Sequence, residues 1–363
     1  MNLIYVLALQ NAPRIGDITA KKLIRHCGSA EAVFKEKKSA LLKIDGVGSY
    51  TLEKLYDASL INIAENEIQF IKKHNIVCHY FLEKSYPEKL KHCIDGPLLL
   101  FQKGNIDLKN RRIISVVGTR NITTHGVAFC EKLINKLAPY NPIIVSGFAY
   151  GTDITAHKVA MKSNLQTIGC LAHGFDQVYP KVHKKYCSDI EKNGGFFADF
   201  WSKAPFDRKN FLKRNRIIAG LSEATIVIES AAKGGSLVTA DIANSYNREV
   251  FAVPGRSTDS QSIGCNNLIK FQKAHLLSVP EDVAYILNWQ LESTHHPVQK
   301  KLFIELKDDE NIVYNFLNEH GKETLDIIAL KCNYPTFKTV SILLNLELKG
   351  VVRPLPGKLF EVV

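Results

Sequence analysis

Between residues 76 and 290 the chain alternates short, nearly unbroken apolar runs with longer stretches in which apolar residues return every third or fourth position. The runs fall at 113–117, 143–146, 167–172, 224–229, 249–253 and 276–279, and amphipathic stretches lie at 126–137, 154–162 and 237–246. Apolar strands without polar alternation are covered on both faces, and amphipathic helices are what cover them. The pattern therefore predicts an α/β fold, a Rossmann-like, doubly wound, mostly parallel sheet. Right-handed crossovers bring the C-terminal ends of such strands to one edge, where ligands bind.

On either side the pattern changes. Residues 1–75 read as short helices with Gly-centred turns, a helix-hairpin-helix or SAM-like domain. In it the turn Ile44-Asp45-Gly46-Val47-Gly48 precedes a helical run, SYTLEKLYD, and Pro13-Arg14-Ile15-Gly16 looks like a weaker copy. Residues 76–290 hold the Rossmann-like domain, and the polar, mixed stretch 291–308 reads as a linker. Residues 309–363 give three helical segments and a hairpin-like tail, VVRPLPGKLFEVV, the pattern of a winged helix. Its candidate recognition helix holds only Lys338 and Lys349 as bases, against Glu347. For both flanking modules, DNA contact and protein docking stand as readings of similar weight.

Charge narrows the class of partner. The 363 residues carry a formal charge of +11, and it is uneven: Lys203, Arg208, Lys209, Lys213, Arg214 and Arg216 face one nearby acid, Asp207. Such a cluster favours a polyanionic partner. No apolar run is long enough for a membrane span. The N-terminal patch, MNLIYVLALQ, lacks a basic region before it and a cleavage site after it, so a cytoplasmic protein is expected. Eight cysteines occur without a C-x-x-C pair, which predicts reduced thiols, no metal and no disulfide framework.

Candidate chemistry gathers where strands end. Gly118-Thr119-Arg120, Ser146-Gly147, Gly234-Gly235-Ser236 and Pro254-Gly255-Arg256 each follow a predicted strand. Glycine allows an anion to approach the backbone, and free N–H groups at a helix start attract phosphate. The run GTRNITTHG is not a G-x-G-x-x-G fingerprint, and no G-x-x-x-x-G-K-[ST] occurs, so neither a dinucleotide cofactor nor NTP hydrolysis is expected. Arg214-Asn215-Arg216, with Lys213 and Phe211 before it, offers phosphate forks, a base-edge amide and a stacking face. It reads as the basic start of a helix, where a bound anion would offset the unfavourable dipole. Asp153 and His157, one helical turn apart, stand as an acid/base pair, a ligand contact, or a cap with a packing histidine.

Taken in order, VVGTR ending at Arg120, SGFAYGTDITAH (146–157), TIGCLAHGFDQVYP (167–180), RNRIIAGLS (214–222), GGSLVTA (234–240), VFAVPG (250–255) and GCNNLI (264–269) resemble the DNA-processing protein A family, DprA or Smf. The stretch 85–104 also resembles that family's entry into its Rossmann-like domain. The resemblance implies a protein that binds single-stranded DNA, helps load a RecA-type recombinase in natural transformation, and dimerises through the Rossmann-like domain. It implies no catalytic residue, metal or cofactor. Carried over by position, the DNA site comprises Gly118, Thr119, Arg120, Ser146, Gly147, Lys213, Arg214, Asn215, Arg216, Gly234, Gly235 and Ser236. Tyr150 stands where the family usually has a basic residue, and Asp199, Leu212, Gly234 and Lys273 also depart from its pattern. The alternative is an enzyme that hydrolyses a nucleoside monophosphate in the manner of phosphoribohydrolases, with Glu229 the one acid beside the Gly234–Ser236 loop.

Overall fold

The computed structural model describes residues 2–291, 306–355 and 359–362. It forms two compact units, Met1–Leu291 and Glu292–Val363. Residues 292–305, most of the expected linker, lie outside the described residues.

The first unit is built on nine strands: β1 (Val77–Tyr80), β2 (Leu99–Gly104), β3 (Ile113–Val117), β4 (Ile143–Ser146), β5 (Thr167–Cys170), β6 (Gly194–Ala198), β7 (Ala224–Val227), β8 (Glu249–Ala252) and β9 (His275–Leu276). Their order is β1-β2-β6-β5-β4-β3-β7-β8-β9. From β6 to β9 every pairing is parallel, whereas β1 and β2 join one edge antiparallel. The fold is the Rossmann-like, doubly wound sheet that the apolar pattern predicts. Strand order reverses at β3, whose neighbours are β4 and β7. At such a switch point the crossover helices leave in opposite directions and open a crevice at the strands' C-terminal ends.

Each sheet face buries its own core. Ile114, Val116, Ile144, Ile226 and Phe251 pack with Cys130, Leu133, Ile134, Ala156 and Ala160 from the helices Thr124–Leu137 and Thr152–Lys162. On the other face Val117, Val145, Ile168 and Val227 pack with Ile217, Ile218 and Ala240 from the helices Arg208–Leu221 and Gly235–Ser245. That second core continues without a break into Leu7, Leu9, Leu23 and Ile24 of the helices Leu3–Asn11 and Asp17–Cys27. Residue 75 is therefore not a packing boundary. The N-terminal helices and the sheet are one unit.

The expected hairpin differs too. The run SYTLEKLYD forms consecutive turns instead of a helix. Arg14, at φ 68°, lays its guanidinium over the Tyr50 ring at 3.5 Å and pairs with Glu53, tying the two glycine turns to each other.

The second unit consists of the helices Asp308–His320, Leu325–Lys331 and Thr336–Leu348 and a small sheet of Glu323–Thr324, Val352–Leu355 and Leu359–Val362. Val313, Leu317, Ile328, Ile342, Leu343 and Leu346 form its core.

Candidate nucleic-acid interface

A cleft of about 650 Å³ opens at the C-terminal ends of β3 and β7, at the switch point. Of the twelve residues expected there, Gly118, Thr119, Arg120, Arg214, Asn215, Gly234, Gly235 and Ser236 line it. Tyr179, Phe206, Arg208, Phe211, Ser230 and Lys233 line it as well.

The Gly118–Arg120 loop is held on both sides. The Thr119 N–H donates to the Glu229 carbonyl at 2.8 Å, and the Thr119 carbonyl accepts from the Thr152 N–H and hydroxyl at 3.1 and 3.2 Å. Gly151 makes this possible: at φ 73° its Cα lies against the backbone of Thr119 and Arg120, where a Cβ would collide. Arg120 is left exposed, its guanidinium 5.3 Å from the centre of the Phe211 ring. Phe211 in turn meets Phe206 at 5.6 Å and Tyr179 at 5.9 Å, and those two rings are 4.7 Å apart. Tyr179 and Phe206 are exposed. Three aromatic rings beside an arginine make a stacking wall. Only Phe211 was legible in the sequence, because the other two come from separate loops.

The opposite wall begins with the helix Gly235–Ser245. Asn215 donates to the Gly235 carbonyl at 3.3 Å, and the Ser236 hydroxyl donates to that of Ser230 at 3.0 Å. Between the walls lies Arg214, 5% exposed, which donates to the Cys170 carbonyl. Its Nε is buried without a protein partner. Burial pulls its pKa down, while the Asp153 carboxylate opposes that pull. Gly147 does not line the cleft, but it is what admits this guanidinium: a Cβ there would lie 2.7 Å from Nη1 and would strike Asp153.

Three expected residues belong elsewhere. Arg216 bridges Asp199 at 2.5 Å and Asp17 at 2.8 Å and also donates to the Asp95 carbonyl. It fastens the N-terminal helices to the sheet. The helix starts at Arg208, capped by the Asp207 side chain, so R-N-R is mid-helix and the expected penalty at a basic helix start does not arise. Residues two apart on a helix diverge by about 200°, so Arg214 and Arg216 cannot share one face. Ser146 is wholly buried and donates to the Val116 carbonyl at 2.6 Å, a packing role. Lys213 reaches Asp199 at 3.6 Å and covers Phe200 outside the cleft.

The acid/base readings are answered by hydrogen bonds. His157 is fully buried, with Nε2 2.6 Å from the Gly147 carbonyl and Nδ1 2.7 Å from the Thr167 hydroxyl. Burial lowers its pKa, and with both ring nitrogens hydrogen-bonded inside the core it serves packing. Asp153 accepts from the Ala149 N–H at 3.2 Å within its own turn. The Glu229 carboxylate accepts from the Thr123 N–H at 2.9 Å and hydroxyl at 2.5 Å, holding the residue that caps the helix Thr124–Leu137. It is committed to structure and so is poorly placed for the hydrolase reading. Burial pushes the Cys130, Cys170 and Cys265 thiols up to about 12. Among the described residues no group of acids, histidines and cysteines has a metal-binding arrangement, and no helix is long and apolar enough to cross a membrane.

In the second unit three of the basic side chains are paired with acids. Lys338 lies 3.8 Å from Asp309, Lys349 2.5 Å from Glu310, and Arg353 2.5 Å from Glu361. The outer face of Thr336–Leu348 instead exposes Phe337, Val340, Leu344 and Leu348.

Residues 77–288 match the family described as DNA recombination-mediator protein A. The chain is 33% identical to Protein Smf of Synechocystis over 272 residues, 73% of this chain and 68% of that one. It is 37% identical to DNA processing protein DprA of Streptococcus pneumoniae over 202 residues, 56% of this chain and 71% of that one. The X-ray structure of the Streptococcus pneumoniae DNA processing protein A matches with a TM-score of 0.65 at 31% identity, covering 78% of this chain and 96% of its own. DNA processing protein A of Helicobacter pylori, described for its single-stranded DNA binding mode, matches with a TM-score of 0.53 at 26% identity, covering 59% and 95%.

Proposed function

We propose that this chain, which belongs to the DNA recombination-mediator protein A family, binds single-stranded DNA in the switch-point cleft. The observation that carries the reading is the pairing of an aromatic wall, Tyr179, Phe206 and Phe211, with the cations Arg120, Arg208, Arg214 and Lys233 around one cavity. Unpaired bases have faces to stack and a backbone to neutralise, and this cleft offers both partners. The GTR loop and the start of the Gly235–Ser245 helix supply further backbone N–H groups for phosphate. In the cell the bound strand would be protected and passed to a RecA-type recombinase during transformation, by a cytoplasmic homodimer formed through the Rossmann-like domain. The reading requires no chemistry of the protein itself.

Fluorescence anisotropy of a labelled oligonucleotide at several salt concentrations tests it. Binding should weaken steeply with salt, since each neutralised phosphate of a single strand releases about 0.7 counterion. Incubation with AMP, followed by chromatography, should leave the nucleotide intact. Absence of binding at low salt, or steady release of adenine that tracks the protein through purification, would remove the reading.

A further inference from the structure

A second groove, of about 510 Å³, lies between the helices Thr152–Lys162 and Lys184–Lys192. Lys158, Lys162, Tyr186, Asp189 and Lys192 line it. Asp189 is paired with Lys192 at 2.8 Å, but among the described residues Lys158 and Lys162 form no ion pair. Lys185 adds a fourth amine, 5.1 Å from the Tyr186 ring centre. The groove itself thus holds three lysines against one aspartate, with Tyr186 among them, and Lys185 lies beside it.

The helix Thr152–Lys162 starts at the first cleft, where Asp153 forms part of the lining. At a rise of about 1.5 Å per residue, Lys158 and Lys162 follow about 8 and 14 Å along it. Tyr150, two residues before that helix, is 48% exposed and outside the cleft lining. Its ring meets His183 edge-on at 5.0 Å, and His183 is 6.3 Å from Tyr186. Ring contacts thus link Tyr150, at the start of that helix, through buried His183 to Tyr186 in the groove that Lys158 and Lys162 line.

We infer that this groove carries the single strand onward from the cleft, Lys158 and Lys162 holding phosphates and Tyr150 stacking a base between the two sites. The inference rests on the cleft being the DNA site. An acidic protein surface would also meet the lysines, but the interleaved tyrosines are what a strand with unpaired bases uses.

The test compares two oligothymidylates, one of about 5 nucleotides that fills only the cleft and one of about 20 that reaches beyond it. In the full chain carrying Lys158→Gln and Lys162→Gln, affinity for the longer oligonucleotide should fall ten- to a hundred-fold. Its log–log salt slope should flatten by about 1.4, twice the single-strand value, and affinity for the shorter one should stay at the wild-type level. Tyr150→Leu, which keeps an apolar cover over His183, should weaken the longer oligonucleotide alone without changing the slope. Thermal melting of each variant must match the wild type; if the double variant melts lower, the single Lys162→Gln change, at an exposed position, is read in its place and should flatten the slope by about 0.7. Equal affinity of folded variants and wild type for the longer oligonucleotide overturns the groove while leaving the cleft intact. If the wild type binds the longer oligonucleotide and Arg120→Ala has no effect on either length, the cleft reading fails, and the lysine variants then decide the groove by themselves.

Discussion

Three arginines at one apparent site have three different jobs, and single substitutions separate them. The Arg120 side chain is exposed and, among the described residues, its guanidinium meets the Phe211 ring without an ion pair, so Arg120→Ala should melt like wild type. A charged hydrogen bond to phosphate is worth roughly 1.5–3 kcal/mol, so DNA affinity should fall about ten- to a hundred-fold. The salt slope should flatten by about 0.7. Arg216 is buried between Asp17 and Asp199, and its removal strands two carboxylates. Breaking such a pair costs about 3–5 kcal/mol, so Arg216→Ala should lower the melting temperature by roughly ten degrees and keep its DNA affinity wherever it remains folded. Arg214 both lines the cleft and fixes the Cys170 carbonyl, so Arg214→Ala should lose affinity and stability together. Acid tests the latch from its other side. Burial alone would raise the Asp17 pKa, but Arg216 and the Leu98 N–H outweigh it and hold the carboxyl below its usual range. A depressed folded pKa contributes stability above the unfolded value of about 3.9, and that contribution is lost as pH falls from there through the folded pKa. The gap in melting temperature between wild type and Arg216→Ala should therefore narrow below about pH 4. A constant gap would show that packing, not charge, is what Arg216 supplies.

At the scale of elements, the strands were legible where apolar runs are dense and the helices where they are amphipathic. IISVV, IIVS and ATIVIE read as candidate buried strands, and they pair in parallel. The antiparallel edge was not legible: β1 is four residues of mixed polarity, β2 turns polar after Phe101, and their neighbour β6 opens on two glycines, so no periodicity marks any of the three. The R-N-R run misled because its charges suggest a helix start, whereas the cap is Asp207, seven residues before Arg214. Once the helix begins at Arg208, its first two turns carry Arg208, Phe211 and Leu212 along the cleft, and its remainder is core. The aromatic wall was legible in neither pattern nor charge, since Tyr179 and Phe206 lie 27 residues apart in loops. It makes its own prediction. Base stacking is worth about 1–3 kcal/mol per base, so Phe206→Ala or Tyr179→Ala should weaken oligonucleotide binding roughly five- to a hundred-fold with the salt slope unchanged. A flattened slope in either variant would mean the ring acts by positioning Arg120, not by stacking.

For the whole molecule, the expected break at residue 75 failed because the sheet's second face has too few helices of its own. Leu7, Leu23 and Ile24 complete the layer over Leu99, Phe197 and Ile217. Polar groups cross the same junction: Lys21 donates to the Gly96 carbonyl at 2.5 Å, and buried Glu67 accepts from the Ser202 N–H at 2.8 Å and hydroxyl at 2.6 Å. A protein ending at Leu291 should therefore fold, melt cooperatively and bind oligonucleotide within a few-fold of the full chain, because every cleft residue precedes that point. A protein starting at residue 76 should be insoluble or melt far lower, as it bares an apolar layer and leaves Arg216 with Asp199 but without Asp17. Circular dichroism melts of the two truncations, with anisotropy titration of the first, check both.

The Asp17–Arg216–Asp199 bridge also bears on how the chain tolerates exchange of its parts. Its central cation lies in the middle of the chain and one of its anions near the start, 199 residues apart, and neither side chain is more than 10% exposed. A graft that replaced residues 1–75 with the helices of a relative would have to bring a carboxylate to the place of Asp17. Without one, the recipient inherits a buried positive charge one short in its neutralising partners. The N-terminal helices are heritable only together with the helix that carries Arg216.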